Sequence, residues 1–244
     1  MRSVNYRSWF LKALLIIVSI LYFSFLYIEF FNIEIFISSY MIKYICIMLC
    51  FLICTLTEKN PLNKLDISLL KAGLFITMFA DLFLTIFNYY TLGVALFCMV
   101  QMLYSIRYEA LKISETSLKF IIIFLSLMFI YLIIDLLIIK IDILFAVVLF
   151  YAICLMISVR KAIKVYKNNS YPHPNKYMIA YGMILFILCD INVALYNVTK
   201  LTGISWTFID IVHNISGLSI WLFYVPSQLL LSLSGYNFSL KKKY

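Results

Sequence analysis

Eight apolar runs fix what this chain can become: they fall near residues 9–28, 38–56, 69–88, 90–106, 117–137, 142–159, 177–196 and 214–233. A helix rises about 1.5 Å per residue, so each run crosses, or nearly crosses, the ~30 Å hydrocarbon core of a bilayer. With no water there, the backbone must satisfy its own hydrogen bonds. The spacing predicts an all-α fold: one polytopic membrane bundle of eight transmembrane helices spanning residues 1–244. With 65% hydrophobic and 13% charged residues, a water-soluble fold is excluded. The loops are too short for a soluble catalytic domain, so any chemistry sits among the helices. The run from Trp9 to about Ile28 is too long for a signal h-region and has no small-residue cleavage site, so it reads as a retained first span.

The charges assign sides. Cytoplasmic loops are enriched in Lys and Arg. With the amino terminus inside, eight spans place on the cytoplasmic side Arg2, Arg7 and Lys12; Lys59, Lys64 and Lys71; Arg107, Lys112 and Lys119; Arg160, Lys161, Lys164, Lys167 and Lys176; and Lys241, Lys242 and Lys243. Only Lys43, Lys140 and Lys200 of the 20 basic residues fall on the other side. Both termini are therefore expected in the cytoplasm, and the expected location is the plasma membrane of a prokaryotic cell. The net charge of +9 is dispersed over one membrane side, which suits anionic lipid headgroups and not nucleic acid.

Catalytic motifs of soluble enzymes are absent from the sequence: it has no serine elbow, P-loop, dinucleotide fingerprint or HExxH pair. Neither a metal nor a cofactor is expected. The six cysteines lie in apolar segments without CxxC spacing, and Cys46, Cys50 and Cys54 share one helix face as small packing residues. His173 lies in a Pro-flanked loop and His213 at the mouth of the last span, too isolated to form a ligand set. A weak repeat is visible. Gly73, Asp81 and Asn88 in the third span have the spacing of Gly182, Asp190 and Asn197 in the seventh, and Gln101 and Gln228 follow in the next spans. Residues 1–113 and 114–244 read as duplicated four-helix halves, related by an axis along the membrane normal.

Most acidic residues lie in loops or at span ends, but Asp81 and Asp190 sit well inside apolar helices, where an ionisable side chain faces a cavity or a partner. Counted from the cytoplasmic ends, they reach nearly the same depth. Facing each other in a low dielectric, such a pair would hold one proton between them, giving a general acid beside an anion. The alternative is a pair of interhelical hydrogen bonds that hold the bundle together. Tyr224 and Gln228 share one face of the eighth span, Gln101 and Tyr104 share one of the fourth, and Lys43 opens the second.

This constellation resembles the YhhN-like family of membrane proteins, whose characterised members are lysoplasmalogenases. Ala80–Asp81–Leu82–Phe83–Leu84, followed by Gly93, Phe97, Gln101 and Tyr104, is similar to the family's G-D-x2-L and G-x3-F-x3-H-x2-Y. Gly182, Phe186, Cys189, Asp190 and Ala194 resemble its G-x3-F-x2-S-D-x3-A, and Tyr224 to Leu230 its Y-x3-Q-x-L. Lys43 falls where the family has a Lys-Pro pair. Three positions depart from the pattern: Gln101 replaces the family's His, Tyr44 its Pro, and Ala80 the Gly before the first Asp.

The resemblance implies a membrane hydrolase that cleaves the vinyl ether bond of a lysophospholipid to a fatty aldehyde and a glycerophospho-alcohol. Asp81 and Asp190 would be catalytic. Lys43 would meet the lipid phosphate, and Gln101, Tyr104, Tyr224 and Gln228 would orient the substrate's oxygens. The rival reading is a lipid or small-solute transporter that uses the same carboxylates to couple a proton or cation. A third is a membrane scaffold with structural aspartates.

Overall fold

The computed structural model describes residues 3–31, 33, 39–56, 63–109, 112–202, 207–236 and 238. Of the basic residues used to assign sides, Arg2, Lys59 and Lys241, Lys242 and Lys243 lie outside the described residues. Among those described there are eight α-helices: α1 (Ser3–Phe30), α2 (Ser39–Leu56), α3 (Lys64–Thr85), α4 (Tyr90–Tyr108), α5 (Ile113–Leu137), α6 (Ile143–Lys167), α7 (Asn175–Thr202) and α8 (Thr207–Leu233). Each contains a stretch long and apolar enough to cross a membrane. Polar side chains cap helix starts: Asn63 accepts the Leu65 amide at 3.1 Å, which lets α3 begin before its apolar run, and Asp142 accepts that of Leu144 at 2.9 Å at the start of α6. Between α3 and α4 the chain reverses tightly, with Asn88 at φ 57°.

The centre of the bundle is built from two helix hairpins, α3–α4 and α7–α8. Glycines let the helices approach closely. A Cβ on Gly73 would stand 2.5 Å from the Tyr104 ring, and one on Gly182 would stand 3.0 Å from Leu231. Around this centre, α2 packs on α3 and α8, and α6 packs on α7 and α4. The outermost helices are α1, against α2 and α8, and α5, against α6 and α4. In α5 only Thr116 and Phe120 are buried; between Lys119 and Asp135 its exposed surface is almost wholly apolar and suited to lipid.

In α8, Pro226 has no N–H to give the carbonyl of Leu222. The Tyr22 hydroxyl, from α1, donates to that carbonyl at 2.9 Å. A neighbouring helix thus restores the hydrogen bond the proline removes, between two residues of interest, Tyr224 and Gln228.

One end of the bundle, here called the basic end, carries the α2–α3, α4–α5 and α6–α7 connections and the last turn of α8. A buried polar cluster ties these together. The Arg107 guanidinium, 2% exposed, gives Nε to Asp66 Oδ1 at 2.7 Å, a terminal nitrogen to Asp66 Oδ2 at 3.1 Å, and the other to Ser234 Oγ at 2.9 Å. Tyr171, between α6 and α7, donates to Asp66, and burial pushes its hydroxyl well above the usual tyrosine range. Asn175 Nδ2 donates to the carbonyls of Ser234 and Tyr236 at 2.8 and 2.7 Å. Nearby, Glu109 is paired with Lys161 and Lys164, both at 2.9 Å, which hold its carboxyl down at about 2. Arg107 is therefore more than one of many charges on this side: it clamps α3, α4 and α8.

Candidate active site

Asp81 is buried on α3, and the Tyr224 hydroxyl from α8 donates to its Oδ2 at 2.7 Å. Asp190 is half-buried on α7, and the Tyr151 hydroxyl from α6 donates to its Oδ2 at 2.5 Å. Each carboxyl thus receives one phenol from a different helix. Phe97 and Phe186 join the two phenol rings into a continuous wall of four. Phe97 contacts Tyr151 at 6.1 Å, Phe186 at 6.1 Å and Tyr224 at 6.5 Å between centroids, and Phe186 lies 5.8 Å from Tyr224. Neither acid forms an ion pair with a cation among the described residues.

One helical turn toward the basic end comes a layer of carboxamides. Both α4 and α8 run toward that end, so Gln101 lies one turn beyond Phe97 and Gln228 one turn beyond Tyr224. Gln101 Oε1 accepts from Ser158 Oγ of α6 at 2.5 Å. Gln228 is fully buried, and neither of its amide atoms has a partner among the described residues. Tyr104 lies about two turns from Phe97, its ring against Gly73 and stacked on Tyr108 at 6.3 Å. It therefore belongs with the basic end and not with the carboxyls.

Lys43 lies on the other side of the acids. It is 3% exposed, forms an ion pair with Glu29 of α1, and sits over the rings of Trp221 at 4.9 Å, Tyr40 at 5.2 Å and Phe25 at 5.8 Å. Trp221 in turn contacts Tyr224 at 5.5 Å, so the cage adjoins the Asp81 site. The ammonium expected to meet a phosphate already has a carboxylate partner.

The structure thus joins Tyr224 to Asp81, stacks Gln101 and Gln228 beneath them, and leaves Tyr104 and Lys43 at the two flanks. Sequence reasoning missed Tyr151, Ser158, Glu29 and Trp221. Tyr151 carried no signal in a chain with 19 tyrosines. Glu29 did carry one, as one of two acids, with Glu34, that lie between the first two apolar runs, ahead of the lone basic residue opening α2. Among the described residues no group of three His, Cys, Asp or Glu side chains is placed to hold a metal ion.

A family model describing the YhhN family matches residues 38–235. The chain belongs to the YhhN family. The match to the YhhN family takes in α2 through α8 and every site residue above except Phe25 and Glu29. The protein is accordingly a multi-pass membrane protein of that family. No curated protein and no solved structure matches the chain.

Proposed function

We propose that this protein hydrolyses the vinyl ether bond of a lysophospholipid, releasing a fatty aldehyde and a glycerophospho-alcohol. The observation that carries the reading is the pair of carboxyls on α3 and α7, each held by a phenol and joined by one aromatic wall. Vinyl ether hydrolysis needs an acid beside an anion. A protonated carboxyl delivers its proton to the β-carbon of the C=C–O unit, and the electrons left behind form an oxocarbenium ion. The other carboxylate stabilises that cation and takes a proton from the water that attacks it. The hemiacetal then collapses to aldehyde and alcohol, so one water is consumed and no metal or redox step is needed. Tyr151 and Tyr224 fix the carboxyl planes, and the rings of Phe97 and Phe186 give the apolar alkenyl chain a surface to lie on. Gln101 and Gln228 are placed to meet oxygens of the substrate or of water, and Tyr104 to stiffen the α3–α4 contact beneath them.

The same reading puts the basic end in the cytoplasm, on the strength of the basic residues gathered there. It also treats residues 1–113 and 114–244 as repeated halves. In support, α2 meets α8 as α6 meets α4, and Asp66 and Asn175 stand at equivalent helix starts, each bonding near the end of α8 or α4. The third point of the sequence match does not extend this: Asn88 makes a turn, whereas Asn197 lies within α7.

The test is aldehyde release from a lysoplasmenyl-ethanolamine by purified protein in detergent, beside Asp81→Asn and Asp190→Asn. Release by the parent and loss of about a hundredfold or more in each variant is expected. A protein that moves solute only across sealed vesicles and releases no aldehyde would instead be the transporter.

A further inference from the structure

Buried side-chain polar atoms without a partner are unevenly distributed in this bundle. Among the described residues they belong to Gln101, Tyr104, Ser105, Tyr108, Asn175 and Gln228. Every one lies on the basic side of Asp81 and Asp190. Toward the opposite end the polar groups near the acids are engaged: Lys43 by Glu29, the Thr85 hydroxyl by the carbonyl of Asp81 at 2.6 Å, and Ser39 by Glu29 at 3.1 Å.

Four of these residues lie within two turns of α4: Tyr104 and Ser105 come three and four residues after Gln101, and Tyr108 four and three after them. Gln228 on α8 stands at the depth of Gln101, because Phe97 and Tyr224, one turn before Gln101 and Gln228, are in ring contact at 6.5 Å and both helices run the same way. Gln228 is fully buried with both amide atoms free, and Gln101 is fully buried with its Nε2 free. A hydrocarbon chain placed there would leave these groups unsatisfied, and buried polar groups in native folds are almost always hydrogen-bonded, often through ordered water. The unpartnered groups themselves are neutral: carboxamides and hydroxyls, donors and acceptors together. They suit a small neutral hydroxyl compound and neither an ion nor an alkyl tail.

We infer that the α4 stripe and Gln228 form a water site that leads from the basic end to the carboxyl pair, with the carboxamides of Gln101 and Gln228 holding the water that the hydrolysis spends. The inference rests on the hydrolase reading for its purpose, but not for its hydration. Water reaches the acids from the basic end while the alkenyl chain lies on the Phe97–Phe186 wall. Gln101 and Gln228 are positioning residues: they act on water, which the carboxylate deprotonates.

The test is X-ray hydroxyl-radical labelling of the full-length protein in detergent, without lipid substrate, in ¹⁸O-enriched water. Radicals formed from bound water mark the side chains that touch it. Label on Tyr104 and Tyr108, both buried, and none above background on the equally buried Phe25 is the expected result. Absence of label from both tyrosines overturns the inference, whether or not the protein releases aldehyde. Labelling without aldehyde release by the parent leaves the water site standing and removes the hydrolase reading. In an active preparation, Gln228→Met preserves volume and removes the polar head, and it should lower kcat about a hundredfold with KM unchanged. An unchanged kcat would also overturn it.

Discussion

The cluster at the basic end offers the most quantitative prediction. The Arg107 guanidinium is nearly inaccessible and has a fork of bonds to Asp66 at 2.7 and 3.1 Å, with Ser234 at 2.9 Å as its third partner. Removing one member of such a pair strands a buried charge, which costs ~3–5 kcal/mol, whereas removing both leaves no charge to strand. Asp66→Asn and Arg107→Met should each destabilise by that amount. For a chain of this length that corresponds to a melting midpoint roughly 10 °C lower. The double variant should cost no more than either single one, giving a coupling energy of roughly 3 kcal/mol, as expected for residues in one network. Thermal unfolding in a single detergent, followed by tryptophan fluorescence and checked by circular dichroism, measures all four proteins. Losses in the double variant equal to the sum of the singles would refute the reasoning, because the two side chains would then act independently.

Three other expectations follow from individual contacts. Tyr151→Phe and Tyr224→Phe each remove a hydroxyl that holds a carboxyl; aldehyde release should fall by about tenfold or more in each, with the melting midpoint shifted far less than in Asp66→Asn. Gly73→Ala places a methyl 2.5 Å from the Tyr104 ring, so it should cost ~1–3 kcal/mol in the same unfolding assay, and Tyr104→Leu should recover part of the loss. Glu109 is held at about 2 by Lys164 and Lys161 against an ordinary value of 4.5. Its depressed carboxyl therefore stabilises the fold fully above about pH 4.5, and the contribution disappears as pH falls toward about 2. A melting-midpoint titration should show Glu109→Gln less stable than the parent at pH 6 and the two converging near pH 2.

The sequence made the eight helices legible because lipid imposes a single strong rule: a long apolar run must be a helix. Asp81 and Asp190 were equally legible, since a carboxyl in an apolar helix is conspicuous, and Tyr224 joined them through its spacing to Gln228. Partners across helices were not. Nothing in the apolar run of α6 distinguishes Tyr151 from its neighbours, because tertiary packing alone decides which phenol meets Asp190. Arg107 and Asp66 looked like loop charges at two span ends, and only the closure of the α3–α4 hairpin turned them into a buried pair. Lys43 looked free because Glu29 lies in a different helix. Chain position gave Tyr104 the same face as Gln101, but the ring turns to Gly73 and leaves the carboxyl layer.

The claim at the centre of this account is that a carboxyl of the Asp81–Asp190 pair protonates a vinyl carbon. Hydrolysis of a lysoplasmenyl lipid in D₂O, with the product trapped at once and analysed by mass spectrometry, tests that step directly. The account predicts one deuterium at C-2 of the released aldehyde, with the signal lost in Asp81→Asn and Asp190→Asn. Aldehyde released without deuterium at C-2, or released equally by both variants, would contradict it.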